Sequence, residues 1–226
     1  NRIRIMDSMY EDKGCALNKG LKACRGDLIA FLEAGDIWKH DKINKQLRVF
    51  RTSSLKGLGV VYTNYTLAEQ LEGQELRRAV REGRRGFIMK DLLKRFNVGL
   101  ASTALIRKEV FEDVGGFDER LAMLQEYDLF LRISQHYSFD FADENLAVKH
   151  KTPGRISSDF RRRRKDIGLF LRKHSGKYSD FGILFSMINS SRFAFLKILY
   201  LLCSPFSRQV AGMINRMIII RRRMML

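Results

Sequence analysis

Proline is scarce in this 226-residue chain, 2 residues beside 17 glycines, which excludes collagen-like and low-complexity material. Cysteine is scarce as well. Cys15, Cys24 and Cys203 show no CxxC spacing and have no histidine at metal-site distance. Neither a disulfide framework nor a zinc site is expected, and the three read as small apolar fillers in a reducing compartment. No uncharged apolar run reaches the ~18–20 residues of a spanning helix; the nearest stretch, Phe181 to Ser207, is interrupted by Arg192 and Lys197. No basic region followed by an apolar stretch opens the chain, so no signal peptide is expected. Acidic residues are nearly missing from one end: residues 149–226 hold 3 Asp+Glu against 18 Lys+Arg, whereas residues 1–148 hold 22 against 24.

The overall charge of +17 therefore belongs to the tail. A nearly neutral body followed by a basic, apolar tail suggests a body that does chemistry and a tail that meets an anionic surface. With 45% hydrophobic residues, a chain of this length buries roughly 70% of its unfolded surface in one or two domains. The expected division is a body over residues 1–156 and a basic, apolar helical tail over residues 157–226.

Along the body, Ile3 to Met6 reads as a short strand and Leu17 to Cys24 as a helix closed by Gly26. Leu28 to Leu32 is a run of five apolar residues ending in the acidic turn Glu33-Ala34-Gly35-Asp36, the pattern of a strand buried on both faces of a mainly parallel sheet. His40 to Arg51 carries Ile43, Leu47 and Phe50 on one helical face. Val60 to Tyr62 is a further strand, and the polar, Arg-rich stretch Leu67 to Gly86 reads as an exposed excursion. Ala101 to Ile106 reads as a strand, Arg107 to Asp113 and Tyr127 to His136 as helices, and Ser138 to Phe141 and Leu146 to Val148 as short strands. Ser157 to Lys173 is a basic amphipathic helix by pattern, and Phe181 to Leu202 and Gln209 to Met225 are apolar helices with cationic interruptions.

Two ordered blocks carry a family signature. The first runs from Asn18-Lys19-Gly20 through Gly26-Asp27-Leu28-Ile29-Ala30-Phe31-Leu32-Glu33-Ala34-Gly35-Asp36 to Trp38, with Lys42 and Gln46 on the next helix. The second runs from Ser102 to Arg107, through Val114-Gly115-Gly116-Phe117-Asp118-Glu119, to Gln125-Glu126-Tyr127-Asp128-Leu129-Phe130-Leu131-Arg132. Together they resemble the central and acceptor-side motifs of inverting family-2 glycosyltransferases over roughly Ile3 to Ser158. The resemblance implies an α/β, GT-A-like (Rossmann-like) fold with a mainly parallel sheet flanked by helices, lacking a counterpart to the family's first strands. It further implies transfer of a sugar from a nucleotide-sugar donor to a glycan or lipid-linked glycan acceptor.

Residue by residue, the resemblance places Glu126 as the base that deprotonates the acceptor, and Asn18, Glu33 and Asp36 beside the donor. Trp38 and Asp128 fall on the acceptor side. A divalent cation, magnesium or manganese, is implied for the diphosphate. Its local ligands here are Glu33 and Asp36, because Gly35 stands where relatives carry the second Asp of the metal turn. The plain alternatives are a helix cap and solvated turn for Glu33 and Asp36, and first-turn acids favoured by the helix dipole for Glu126 and Asp128. Trp38 equally suits a pocket wall.

Two other functions compete with catalysis: a non-catalytic relative acting as a scaffold or partner-binding module, and a nucleic-acid-binding protein driven by the tail. No nucleic-acid motif accompanies the charge. The apolar helices beside Arg161 to Lys165 favour an anionic membrane surface, and the expected place of the protein is cytoplasmic, peripheral to the inner face of the cell membrane.

Overall fold

The computed structural model describes residues 3–6, 12–71, 74–81, 83–94, 101–151 and 160–180. Residues 1–173 form one compact unit, and residues 174–226 a second, of which only the end of a helix is described. The expected helices over Phe181 to Leu202 and Gln209 to Met225, and Thr152 to Asp159, lie outside the described residues.

Element order is α1 (Lys13–Ala23), β1 (Leu28–Ala30), β2 (Ile37–Trp38), α2 (Lys42–Thr52), β3 (Leu58–Leu71), β4 (Gln74–Val80), α3 (Met89–Lys94), β5 (Leu105–Arg107), α4 (Lys108–Val114), α5 (Gln125–Ile133), β6 (Ser138–Lys151) and α6 (Phe160–Asp180), with a 3₁₀ turn at Ala101–Thr103 before β5. The six strands form one sheet in the order β1-β5-β3-β6-β2, and β4 pairs with β3 off that path. β3 is 14 residues long, long enough for its one edge to hold β5 at Val60 and Val61 and β4 from Tyr65 to Leu71. The opposite edge runs beside β6.

The α/β class holds, while the expectation of a mainly parallel sheet is corrected. β3 and β6 are parallel, and the other four described pairings are antiparallel. Burial on both faces reports layering, not direction, so the apolar run Leu28 to Leu32 could not fix its own polarity. Only Leu28–Ala30 of that run is strand, and Leu32 is exposed. Ile3 to Met6, expected as a strand, has no regular secondary structure. Leu67 to Gly86 is largely a hairpin instead of an irregular excursion: β4 is exposed along nearly its whole length, so its polar sequence fits a ribbon with solvent on both faces. The two short strands expected after α5 are one strand, β6, whose β-bulges near Asn64 of β3 absorb the polar residues between them.

The core lies where β3, β5 and β6 meet the helices. Val60, Val61, Tyr62, Ile106 and Phe139 from the sheet are fully buried with Leu92 and Leu93 of α3, Val110 of α4 and Leu131 and Ile133 of α5. In α5 the apolar residues Leu129, Phe130 and Ile133 recur at helical spacing. The first part of α6 belongs to this body: Phe170 is buried and its ring lies 4.7 Å from that of Tyr127.

Candidate active site

β1 ends at Ala30, and the chain turns back at Glu33 to Asp36, closed by the Asp36 N–H donating to the Glu33 carbonyl at 3.0 Å. Gly35 sits in this turn at φ +87°, in the left-handed region where a glycine costs least. The backbone geometry therefore explains the glycine at the position of the family's second acid. A Cβ there would meet open space, so conformation, not crowding, favours the residue.

The 3₁₀ turn before β5 stitches this loop to the body. Ser102 Oγ accepts from the Glu33 N–H at 3.0 Å and donates to Asp36 Oδ2 at 2.7 Å. Trp38 Nε1 donates to the Ser102 carbonyl at 2.6 Å. α5 begins at Gln125, placing Glu126 in its first turn, where Glu126 Oε2 accepts from the Ala101 N–H at 3.2 Å.

Glu33 and Glu126, 93 positions apart in sequence, meet at one ammonium. Lys13 Nζ donates to Glu126 Oε1 at 2.7 Å and to Glu33 Oε1. Lys149 of β6 reaches the other Glu33 oxygen at 3.3 Å. Their electrostatics diverge. Burial pushes Glu33 up, but hydrogen bonding with Glu126 and the ammoniums of Lys13 and Lys149 overcome it and hold its pKa at about 2. Burial pushes Glu126 above its ordinary value, the charge of Glu33 adds to the rise, and Lys13 opposes it. The pair takes up its first proton at Glu126, so Glu126 is the stronger base. A half-buried carboxylate that holds its proton more tightly than usual, at the rim of the sheet, is a candidate for acid–base chemistry.

The structure thus brings Glu33, Asp36 and Glu126 to one rim of the sheet, together with Trp38. The other expected residues serve the scaffold. Asn18 donates to the Phe117 carbonyl at 2.9 Å and to Glu119 Oε1 at 2.8 Å, and accepts from the Phe117 N–H at 2.8 Å. Its amide clasps α1 to the Gly115-Gly116-Phe117 loop so closely that a Cβ on Gly116 would collide with it. Asp128 is fully buried between Arg132 Nε at 2.9 Å and Lys173 Nζ at 2.8 Å. Lys42 and Gln46 are buried as well: Lys42 donates to Gln46 Oε1 at 2.7 Å and lies 4.2 Å from the centre of the Trp38 ring, and Gln46 donates to the carbonyls of Val61 and Thr103.

Sequence reasoning missed Lys13 and Lys149, and it quoted Ser102 as the start of the second block without giving it a role in the site. A single lysine outside the two blocks carries no signal of its own.

A divalent cation does not fit these contacts. Glu33 has both oxygens on ammoniums, Glu126 has one on an ammonium and one on an amide, and Asp36 Oδ2 is on Ser102. Asp36 Oδ1 is buried without a partner, one oxygen where such an ion takes about six. No group of three or more metal-ligating side chains occurs among the described residues. The oxygens of Glu33 and Asp36, expected beside magnesium or manganese, are instead engaged by the ammoniums of Lys13 and Lys149 and by the Ser102 hydroxyl.

The family model described as "Glycosyltransferase like family 2" matches residues 4–171. An uncharacterized glycosyltransferase of Rickettsia felis is 27% identical over 163 residues, covering 67% of this chain and 25% of the relative. The amylovoran biosynthesis glycosyltransferase AmsB of Erwinia amylovora is 26% identical over 140 residues, covering 60% of this chain and 46% of the relative. This chain therefore spans about a quarter of the first of these proteins and about half of the second. Among solved structures, S. aureus TarS aligns with a TM-score of 0.50 and 10% identity, over 80% of this chain and 28% of its own. That likeness concerns the fold, which is of the GT-A-like α/β kind.

Proposed function

Because the chain belongs to the family 2-like glycosyltransferases, we propose that its body transfers a sugar from a nucleotide-sugar donor to a glycan or lipid-linked acceptor, with inversion at the anomeric carbon. The observation that carries this reading is the meeting of Glu33 and Glu126 at Lys13, beside the Ser102–Asp36 link. Burial raises the carboxyl pKa of Glu126, and its role is to take the acceptor hydroxyl proton as the oxygen attacks. Glu33, held ionised, keeps Lys13 oriented and its own charge near Glu126. Trp38, anchored through Nε1 and stacked on Lys42, forms one wall. The likeness to AmsB, a glycosyltransferase of amylovoran biosynthesis, supports a cell-envelope polysaccharide as the destination of the sugar.

The basic tail supplies a second part of the proposal. Residues 181–226 contain seven Lys+Arg and no Asp or Glu, interleaved with Phe, Leu and Ile. This composition suits attachment to the cytoplasmic face of an anionic membrane, where lipid-linked acceptors are held. No helix among the described residues is long and apolar enough to cross a membrane.

The test is turnover. The full chain, offered a panel of uridine and guanosine diphosphate sugars with membrane extract as acceptor source, is expected to release nucleoside diphosphate and give a product whose anomeric configuration by proton NMR is opposite to the donor's. Retained configuration would refute the single-displacement role of Glu126. No turnover with any donor would favour the scaffold reading.

A further inference from the structure

We propose that Lys13 is the resident cation of this site, standing where the carboxylates would otherwise gather a divalent metal, so that the donor's diphosphate is met by lysine ammoniums. The second clause rests on the proposed glycosyl transfer; the first rests on geometry alone.

Lys13 begins α1 and follows Asp12. Its Nζ is shared by two carboxylates that approach from different elements, Glu33 from the turn after β1 and Glu126 from the first turn of α5. An ammonium has three donors and one positive charge, and two of those donors are engaged here. A second ammonium, Lys149 on β6, takes the remaining oxygen of Glu33. Two lysines thus balance the two glutamates from the site's own side chains.

The remaining positions point the same way. At Gly35 there is no side chain to add a ligand, and the φ of +87° disfavours replacing it with one. The Gly35 carbonyl lies 2.8 Å from His150 Nδ1, so this oxygen too has a partner. The Lys13 side chain is 40% exposed and that of Lys149 19% exposed, whereas Glu33 and Glu126 are at 15% and 13%. Lys13 is therefore the accessible member of the cluster, and the carboxylates and Lys149 are covered. A phosphate group entering from solvent meets ammonium first, and charge developing on a departing diphosphate is stabilised by donors already in place.

Manganese binding to the full chain, followed by the loss of the free-ion electron paramagnetic resonance signal, tests the idea without relying on transfer. Wild type is expected to show no manganese site that depends on Glu33. Removing the ammonium by Lys13→Ala frees one oxygen each of Glu33 and Glu126 beside the unpartnered Asp36 Oδ1 and halves the lysine charge that offsets them, and manganese affinity is expected to rise at least tenfold. The gain should vanish in Lys13→Ala combined with Glu33→Gln. Lys13→Gln, which keeps most of the side-chain bulk, serves if Lys13→Ala loses its circular-dichroism signature. A wild-type manganese site lost in Glu33→Gln would overturn the proposal, as would an unchanged manganese affinity in both folded Lys13 variants. Failure of the glycosyltransferase reading would show instead as absent donor turnover, with the manganese pattern intact.

Discussion

At the scale of single residues, the motif residues divide into those that line the site and those that hold it. Glu33, Asp36 and Glu126 meet at the sheet rim, while Lys42 and Gln46, equally part of the signature, are buried beneath it. Lys42 has no carboxylate partner in that pocket, and burial lowers its pKa to about 7. Between about pH 7 and the ordinary 10.5 the unfolded chain holds a proton at this lysine that the folded chain does not. The penalty of burying the charge is therefore fully present below about pH 7 and is relieved as pH rises through that window. Urea unfolding of wild type and Lys42→Met is expected to show wild type gaining on the variant from pH 7 to 10, by at most about 1.4 kcal/mol per pH unit. A constant difference across that range would mean that Lys42 keeps its proton in the fold. The sequence revealed that Lys42 and Gln46 mattered but not how, since a buried amide bridging Val61 and Thr103 is a product of tertiary contact.

At the scale of elements, one arginine organises the acceptor-side block. Arg132, in the last turn of α5, pairs with buried Asp128 and donates to the carbonyls of Val114 at 2.5 Å and Gly116 at 2.6 Å. It closes the end of α4 onto α5 while Asn18 clasps the same loop from α1. Without Arg132, Asp128 keeps Lys173 as a cation partner, and the carbonyls of Val114 and Gly116 lose their guanidinium donors, a cost of about 1–3 kcal/mol for each buried polar group left unsatisfied. Arg132→Ala is expected to lose stability on that scale by urea denaturation, and Arg132→Lys to recover only part of it, because an ammonium cannot span the same fork. Equal stability of wild type and Arg132→Ala would show that the loop holds itself. Helices were the most legible elements: α2, α4 and α5 fall within a few residues of their apolar periodicity. Strand direction was not legible, because alternation and apolar runs encode burial, whereas the antiparallel pairing of β1 with β5 depends on chain connections far apart in sequence. The Lys13 bridge was hidden for a similar reason, as its partners lie 20 and 113 positions away.

At the scale of the whole molecule, a nearly neutral body is joined to a cationic end. The body reaches into α6, where Asp166 accepts from the backbone N–H of Met123 at 2.6 Å and Lys173 bonds Asp118 and Asp128 at 2.8 Å. A comparison that leaves these contacts intact ends the chain after Asp180. That shortened chain is expected to lose binding to vesicles containing anionic phospholipid, since each basic residue near such a surface contributes about 1 kcal/mol and the apolar residues add burial. Binding of the full chain is expected to weaken with salt without vanishing, because the apolar contribution is not screened. Equal sedimentation of both chains with vesicles would remove the tail from the account, and tighter binding to RNA than to vesicles would replace membrane with nucleic acid as its partner. The proposed transfer depends on Glu126 as its base. Its most direct test is the transfer rate of Glu126→Gln in the protein that shows turnover, with thermal unfolding as the control for folding. The expected result is a fall of about 10²–10⁴ in kcat at an unchanged Tm, the usual contribution of a positioned general base; a rate within twofold of wild type would contradict it.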